Sequence, residues 1–205
     1  MSQPRRRWWL WCAILLVLVS GWLLFRTPPG WYQPNQHAPG AGERFEQLVV
    51  DQLTTLRDQD QEWELPLDVN SCNAFLAQRL RPWLQRESKD ALGMLDAFGT
   101  PQMRMRPEGP ASAPALVLGF RGWGWLEMEL QGHQQGGACT KLELARSRVG
   151  GLLPVPASSL GEVPTTITFP QSIPLQDDRA VVVEAVRFEE TGLVLICRTR
   201  LAGSE

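Results

Sequence analysis

Residues 8–25 (WWLWCAILLVLVSGWLLF) carry no charge and follow directly on Arg5, Arg6 and Arg7. At ~1.5 Å rise per residue a helix of that length reaches about 27 Å, close to the thickness of a hydrocarbon core. The run therefore predicts one membrane-spanning helix. The three arginines before it, against Arg26 alone close behind it, orient that span with the N-terminus in the cytoplasm and the rest of the chain outside. Trp8, Trp9 and Trp11 at one end and Trp22 at the other match rings that prefer the headgroup level, so Arg5, Arg6, Arg7, Trp8 and Trp22 are the expected anchor residues. The Arg-Thr-Pro-Pro-Gly-Trp that follows has no Ala-x-Ala cleavage pattern. Cys12 lacks the small residues that precede a lipid-modified cysteine, so the expectation is an uncleaved signal anchor in an inner or plasma membrane.

The remaining chain suffices for one domain with a proper core. All 22 acidic residues lie from Glu43 onward, against 16 of the 20 basic ones, so this part carries a net charge of −6. An acidic domain without a concentrated basic surface is a poor nucleic-acid binder. The expected divisions are a cytoplasmic terminus (1–7), the anchor (8–25), a tether (26–42) rich in proline and glycine, and an extracytoplasmic domain (43–205).

Within the domain two periods succeed one another. Phe45, Leu48, Val49, Leu53 and Leu56 recur at helical steps, predicting an amphipathic helix from Glu43 to about Asp60. Trp63, Leu65 and Leu67 alternate as in a short edge strand containing Pro66. Asp68 is a candidate N-cap for a second helix with an apolar stripe at Val69, Cys72, Phe75, Leu76, Leu80 and Trp83, in which Pro82 forces a kink or stop. The stripe, Leu76 and Leu80 included, is expected to face the sheet as core. From Thr100 the period is two. Strands are expected around 103–106, 116–120, 123–130, 140–145, 165–169, 180–188 and 193–201, with hairpin signals at 132–137 and 189–192. The expected fold is α+β: an N-terminal transmembrane helix, then two amphipathic helices packed on a mostly antiparallel sheet.

Residues 65–80 (LPLDVNSCNAFLAQRL), with their Asn-Ala-Phe-Leu core, and 147–160 (SRVGGLLPVPASSL) are similar to stretches of YpmS-like bacterial proteins, which are single-pass and N-terminally anchored. That resemblance implies an extracytoplasmic α+β domain without an established catalytic activity.

Catalytic constellations are sparse. The two histidines, His37 and His133, fall in the tether and in a turn, with no Gly-x-Ser-x-Gly and no acidic orienter nearby. Cys72, Cys139 and Cys197 are far apart in sequence and form no metal knuckle, so neither a metal nor another cofactor is expected. Glu127 and Glu129 are the one close carboxylate pair in a strand, and Asp177 with Asp178 reads as a turn. The GFRGWG around Gly119, Gly122 and Gly124 interrupts a strand pattern and predicts a bulge or a close backbone approach beside Trp123 and Trp125 rather than a phosphate loop. The aromatic set Trp63, Trp83, Phe120, Trp123 and Trp125 either builds the core or lines a groove for an apolar chain or peptide. The function these features point to is a membrane-anchored, non-enzymatic module that binds an envelope protein or a lipid. An envelope-polymer hydrolase working through a carboxylate pair is the alternative.

Overall fold

Sheet, not helix, dominates the tertiary structure. The computed structural model describes all residues except 1–4, 88–95, 97–98, 107–114, 123, 136–137, 152, 157–164, 176 and 202–205; side chains are also not described for 5–11, 24 and 133–135. Among the described residues four helices, α1 (Arg5–Arg26), α2 (Ala41–Thr54), α3 (Val69–Gln78) and α4 (Leu80–Glu87), accompany ten strands in one curled, mostly antiparallel sheet that forms a half-barrel. This corrects the expectation of a transmembrane helix followed by two helices layered on a sheet. Period-two segments are so frequent after residue 100 that the sheet curls and builds its own interior, and the helices only complete it.

The membrane span, and with it the single-pass, signal-anchored location and topology, is corrected as well. Among the described residues no helix is long and apolar enough to cross a membrane. α1 runs from Arg5 to Arg26. Its C-terminal end packs on protein: a Cβ at Gly124 would collide with the Phe25 ring, and one at Gly150 would press on the Phe25 Cα. Trp22 stacks on Phe25 with ring centroids 6.2 Å apart, and Arg26 lies over Trp22.

The sheet path begins with β1 (Glu62–Asp68), β10 (Gly192–Leu201), β9 (Arg179–Phe188) and β5 (Ala138–Val149). It continues through β4 (Trp125–Gln135), β3 (Ala115–Arg121) and β2 (Gln102–Arg106). β5 and β9 are paired at Cys139 and Val186 and then diverge. The fork is filled by β7 (Thr166–Thr168) on β5 and β8 (Gln171–Pro174) on β9, while β6 (Leu153–Pro154) pairs with the far end of β5. Between the two end strands, β1 and β2, lies α3. It follows β1 without a break, its N-terminus capped by the Asp68 carboxylate, which accepts from the Ser71 N–H at 2.8 Å. Pro82 stands in the first turn of α4, where its missing N–H has no helical partner to lose, so the break falls at Arg79 instead.

The two sheet faces are covered by different parts of the chain. On the concave face Trp63, Leu65, Val181, Val183 and Cys197 form the core, with Val49 and Leu53 of α2 packed on it. On the convex face of β2–β4, Trp31, Tyr32, Gln33 and His37, within the expected tether (26–42), lie against the sheet. Tyr32 donates its hydroxyl to the Thr100 carbonyl at 2.6 Å, the Gln33 N–H donates to Gln102 Oε1, and the Gln102 amide meets His37 Nε2 at 3.1 Å. Trp31 and Tyr32 pack edge-on to Trp125, and Gly119 leaves the space that both tryptophan rings occupy.

Candidate functional site

α2 rests mainly on α3. Gly42 makes this approach possible, because a Cβ there would stand 2.7 Å from the Ala74 carbonyl oxygen. Gln78 ties the contact, accepting from the Gly42 N–H and donating to the Ala38 carbonyl, each at 2.9 Å. Glu46 and Arg79 pair at 2.6 Å across the two helices. Held in this way, α2 packs on the concave face through Val49 and Leu53 but covers it only in part.

The space left is a cleft of about 230 Å³. One wall is Phe45, Val49 and Leu53 of α2; another is Cys72, Phe75 and Leu76 of α3, with the Phe45 and Phe75 rings 6.1 Å apart. The floor comes from Leu65, Val183, Leu195 and Cys197, and the rim from Leu67, Met103 and Ile173. Every lining side chain is apolar or a thiol, so water entering it would find no partners of the kind that hold buried water. An apolar cavity of about 150 Å³ already stays dry and accepts benzene. The thiols add no reactivity: burial, helped by the Asp68 charge, pushes Cys72 up to about 12, and burial, partly offset by Arg57, pushes Cys197 up to about 11.

Two larger hollows mix polar and apolar lining groups and are about as open as the cleft. One, of about 410 Å³, runs along β5 from Leu144 to Arg148 beside Pro154 and Pro156. The other, of about 390 Å³, is bounded by Trp31, Gln33, His37, Asn73 and Gln102, and most of these polar groups are already bonded to one another or to the main chain. Volume alone would favour either; chemical uniformity of the walls singles out the smaller cleft.

The aromatic set expected from the sequence does not assemble. Trp63 belongs to the core on the concave face, donating its indole N–H to Thr199 Oγ1 at 3.2 Å. Trp125 is 1% exposed but on the opposite, convex face beneath Trp31 and Tyr32. Phe120 is on the concave side of β3, Trp83 is on α4 and 42% exposed, and Trp123 lies outside the described residues. Among the anchor residues, Arg5, Arg6, Arg7 and Trp8 are in α1 with side chains not described, and Trp22 is half exposed.

Of the carboxylates, Glu129 accepts a two-point hydrogen bond from Arg106, and Glu127 lies 3.8 Å from Arg104, both on the convex face. Asp177 pairs with Arg179, and Asp178 occupies a turn at φ 59°. Among the described residues no group of three or more His, Cys, Asp or Glu is placed to hold a metal ion. The cleft residues that sequence reasoning missed as a site were legible as apolar stripes. Spacing alone does not distinguish a stripe that meets a partner from one that faces a gap. No family model, curated protein or solved structure matches this chain.

Proposed function

We propose that this chain is a binding module, not an enzyme, and that the cleft between α2, α3 and the concave sheet holds a hydrocarbon chain or small apolar ring. The observation that carries this reading is the cleft itself, about 230 Å³ walled by apolar side chains. Burying a methylene there is worth roughly 0.8 kcal/mol, so a few of them support useful affinity. The cleft is below the ~300 Å³ at which drug-sized ligands are accommodated, which favours one slim chain. Against the hydrolase reading stands the engagement of Glu127 and Glu129 with arginines on the other face.

N-phenylnaphthylamine, which brightens in apolar surroundings, tests the proposal. It should bind the full chain saturably at one site and be displaced by dodecanol. Val49→Trp, which fills the cleft from α2, should weaken binding by roughly tenfold or more while leaving the melting temperature near that of the parent. Phe75→Ala, which enlarges the cleft, should still bind. Unsaturable brightening, or equal binding by Val49→Trp, would defeat the reading.

A further inference from the structure

The cleft offers nothing to a polar group, so the head of any amphiphile bound there must lie at an end, and the two ends differ in charge. At the N-terminal end of α2, Arg79 is bonded to Glu46 and also feels Glu43, two acids around one base. At the C-terminal end the balance reverses. The Arg57 guanidinium lies 3.8 Å above the ring of Trp63, in the core cluster that also contains the cleft-lining Cys197 and packs against Leu53. Arg57 and Arg179 both donate to one carbonyl, that of Thr55, at 3.3 and 3.2 Å. Arg179 donates further to the Thr54 carbonyl and to the Asp177 carboxylate, whereas the oxygens that Arg57 contacts among the described residues are neutral. Two cations thus converge on one uncharged oxygen, and Asp177 pairs with one of them, Arg179. The C-terminal carbonyls of α2 supply about half a negative charge, and Arg57 is the member of the pair whose described hydrogen bonds include no carboxylate. Burial is the largest influence lowering Arg57 from its ordinary value; Cys197, which lines the cleft, opposes it and Arg179 adds to it.

We infer that the ligand is a single-chain amphiphile with an anionic head, a carboxylate or a comparable oxyanion, seated on Arg57 and Arg179 while its tail lies in the cleft. This rests on the apolar-ligand reading above. A guanidinium pair can hold a carboxylate through hydrogen bonds charged on both sides, each stronger than those it now makes to the neutral Thr55 carbonyl. The oxyanion chemistry alone would also suit a free anion, and the tail distinguishes the two sources.

The test displaces N-phenylnaphthylamine from the full chain at about pH 8, where a carboxylate is ionised, using dodecanoate, dodecanol and acetate below any micellar range. Dodecanoate should compete about tenfold better than dodecanol, the equivalent of one charge-assisted hydrogen bond. Acetate should not compete. Arg57→Gln should bring dodecanoate down to the level of dodecanol without altering dodecanol, and Arg57→Lys should retain part of the preference. Melting temperatures of both variants show whether α2 stays in place, and Arg179→Gln supplies a second, independent loss of charge. Equal competition by dodecanoate and dodecanol in the parent, or a preference unchanged in Arg57→Gln, would overturn the head-group assignment and leave the cleft intact. Acetate binding as tightly as dodecanoate would overturn it too, by separating the anion from the cleft. Failure of both amphiphiles to displace the probe would instead remove the apolar-ligand reading on which the assignment rests.

Discussion

The carboxamide of Asn73 accepts a hydrogen bond from the Met103 N–H at 2.7 Å and donates one to the Met103 carbonyl at 2.8 Å. A side chain of α3 therefore pairs with the outward edge of β2 as a neighbouring strand would. Asn73 is buried, and the pair joins α3 to the end of the sheet opposite β1. An open edge invites pairing with other chains, and here one amide occupies part of it.

Replacing Asn73 by alanine should cost roughly 1–3 kcal/mol, because two hydrogen bonds are lost and a backbone donor and acceptor are left without partners. The urea midpoint measures the loss. Hydrogen exchange at the Met103 amide should accelerate by more than at Leu118, which faces it across the β2–β3 ladder. Equal acceleration at both would mean that α3 does not guard this edge.

Leu65 and Leu76 both line the cleft but differ in surroundings. Leu65 is 2% exposed and sits in the core cluster, whereas Leu76 is only half buried on the α3 wall. Leu65→Ala should cost about 2–5 kcal/mol. Leu76→Ala removes a side chain that already borders empty space and should cost about 1 kcal/mol or less. Thermal or urea unfolding of the two variants checks the contrast. A large loss for Leu76→Ala would return that residue to the core, as the helical spacing alone suggests.

All four cysteines are free thiols, with Cys12 exposed and Cys72, Cys139 and Cys197 buried. Ellman's reagent should therefore modify one thiol of the native chain quickly and all four after unfolding. The raised thiols also set a direction for stability in alkali. Their folded values, about 12 for Cys72 and about 11 for Cys197, exceed the ordinary 9.0. Their contribution is complete below pH 9.0 and is lost as pH rises toward those folded values, because the unfolded chain releases protons that the folded one retains. The urea midpoint should fall across that range, and less steeply in Cys72→Ala. A flat profile in the parent would contradict the burial of these thiols.

Several elements were legible because they depend on near neighbours in the chain. The four-residue spacing of Phe45, Val49 and Leu53 does mark α2, Asp68 does cap α3, and the alternation through 180–188 and 193–201 does pair as β9 and β10. Leu56 was misassigned: the helix stops at Thr54, where the Thr54 and Thr55 hydroxyls turn back to the Val50 and Asp51 carbonyls, and Leu56 is 82% exposed. The short strands β6 and β8 were not legible, since two to four residues are too few to show a period and both exist only through pairing with longer strands.

What the sequence determined by itself is local: which residues share a face of a helix or strand, and where a cap or a proline ends an element. Period two says that Trp63, Leu65 and Leu67 share one side; it does not say that this side is concave. That depends on ten strands curling together and on α3 lying between β1 and β2. The same holds for Trp125, whose neighbours on its own sheet face include Glu127 and whose cover, Trp31 and Tyr32, comes from nearly a hundred residues earlier in the chain. The cleft is more remote still from the sequence. It exists because Gly42 lets α2 settle on α3, leaving Val49 and Leu53 above a sheet they only partly fill, and an unfilled volume belongs to no residue's own pattern.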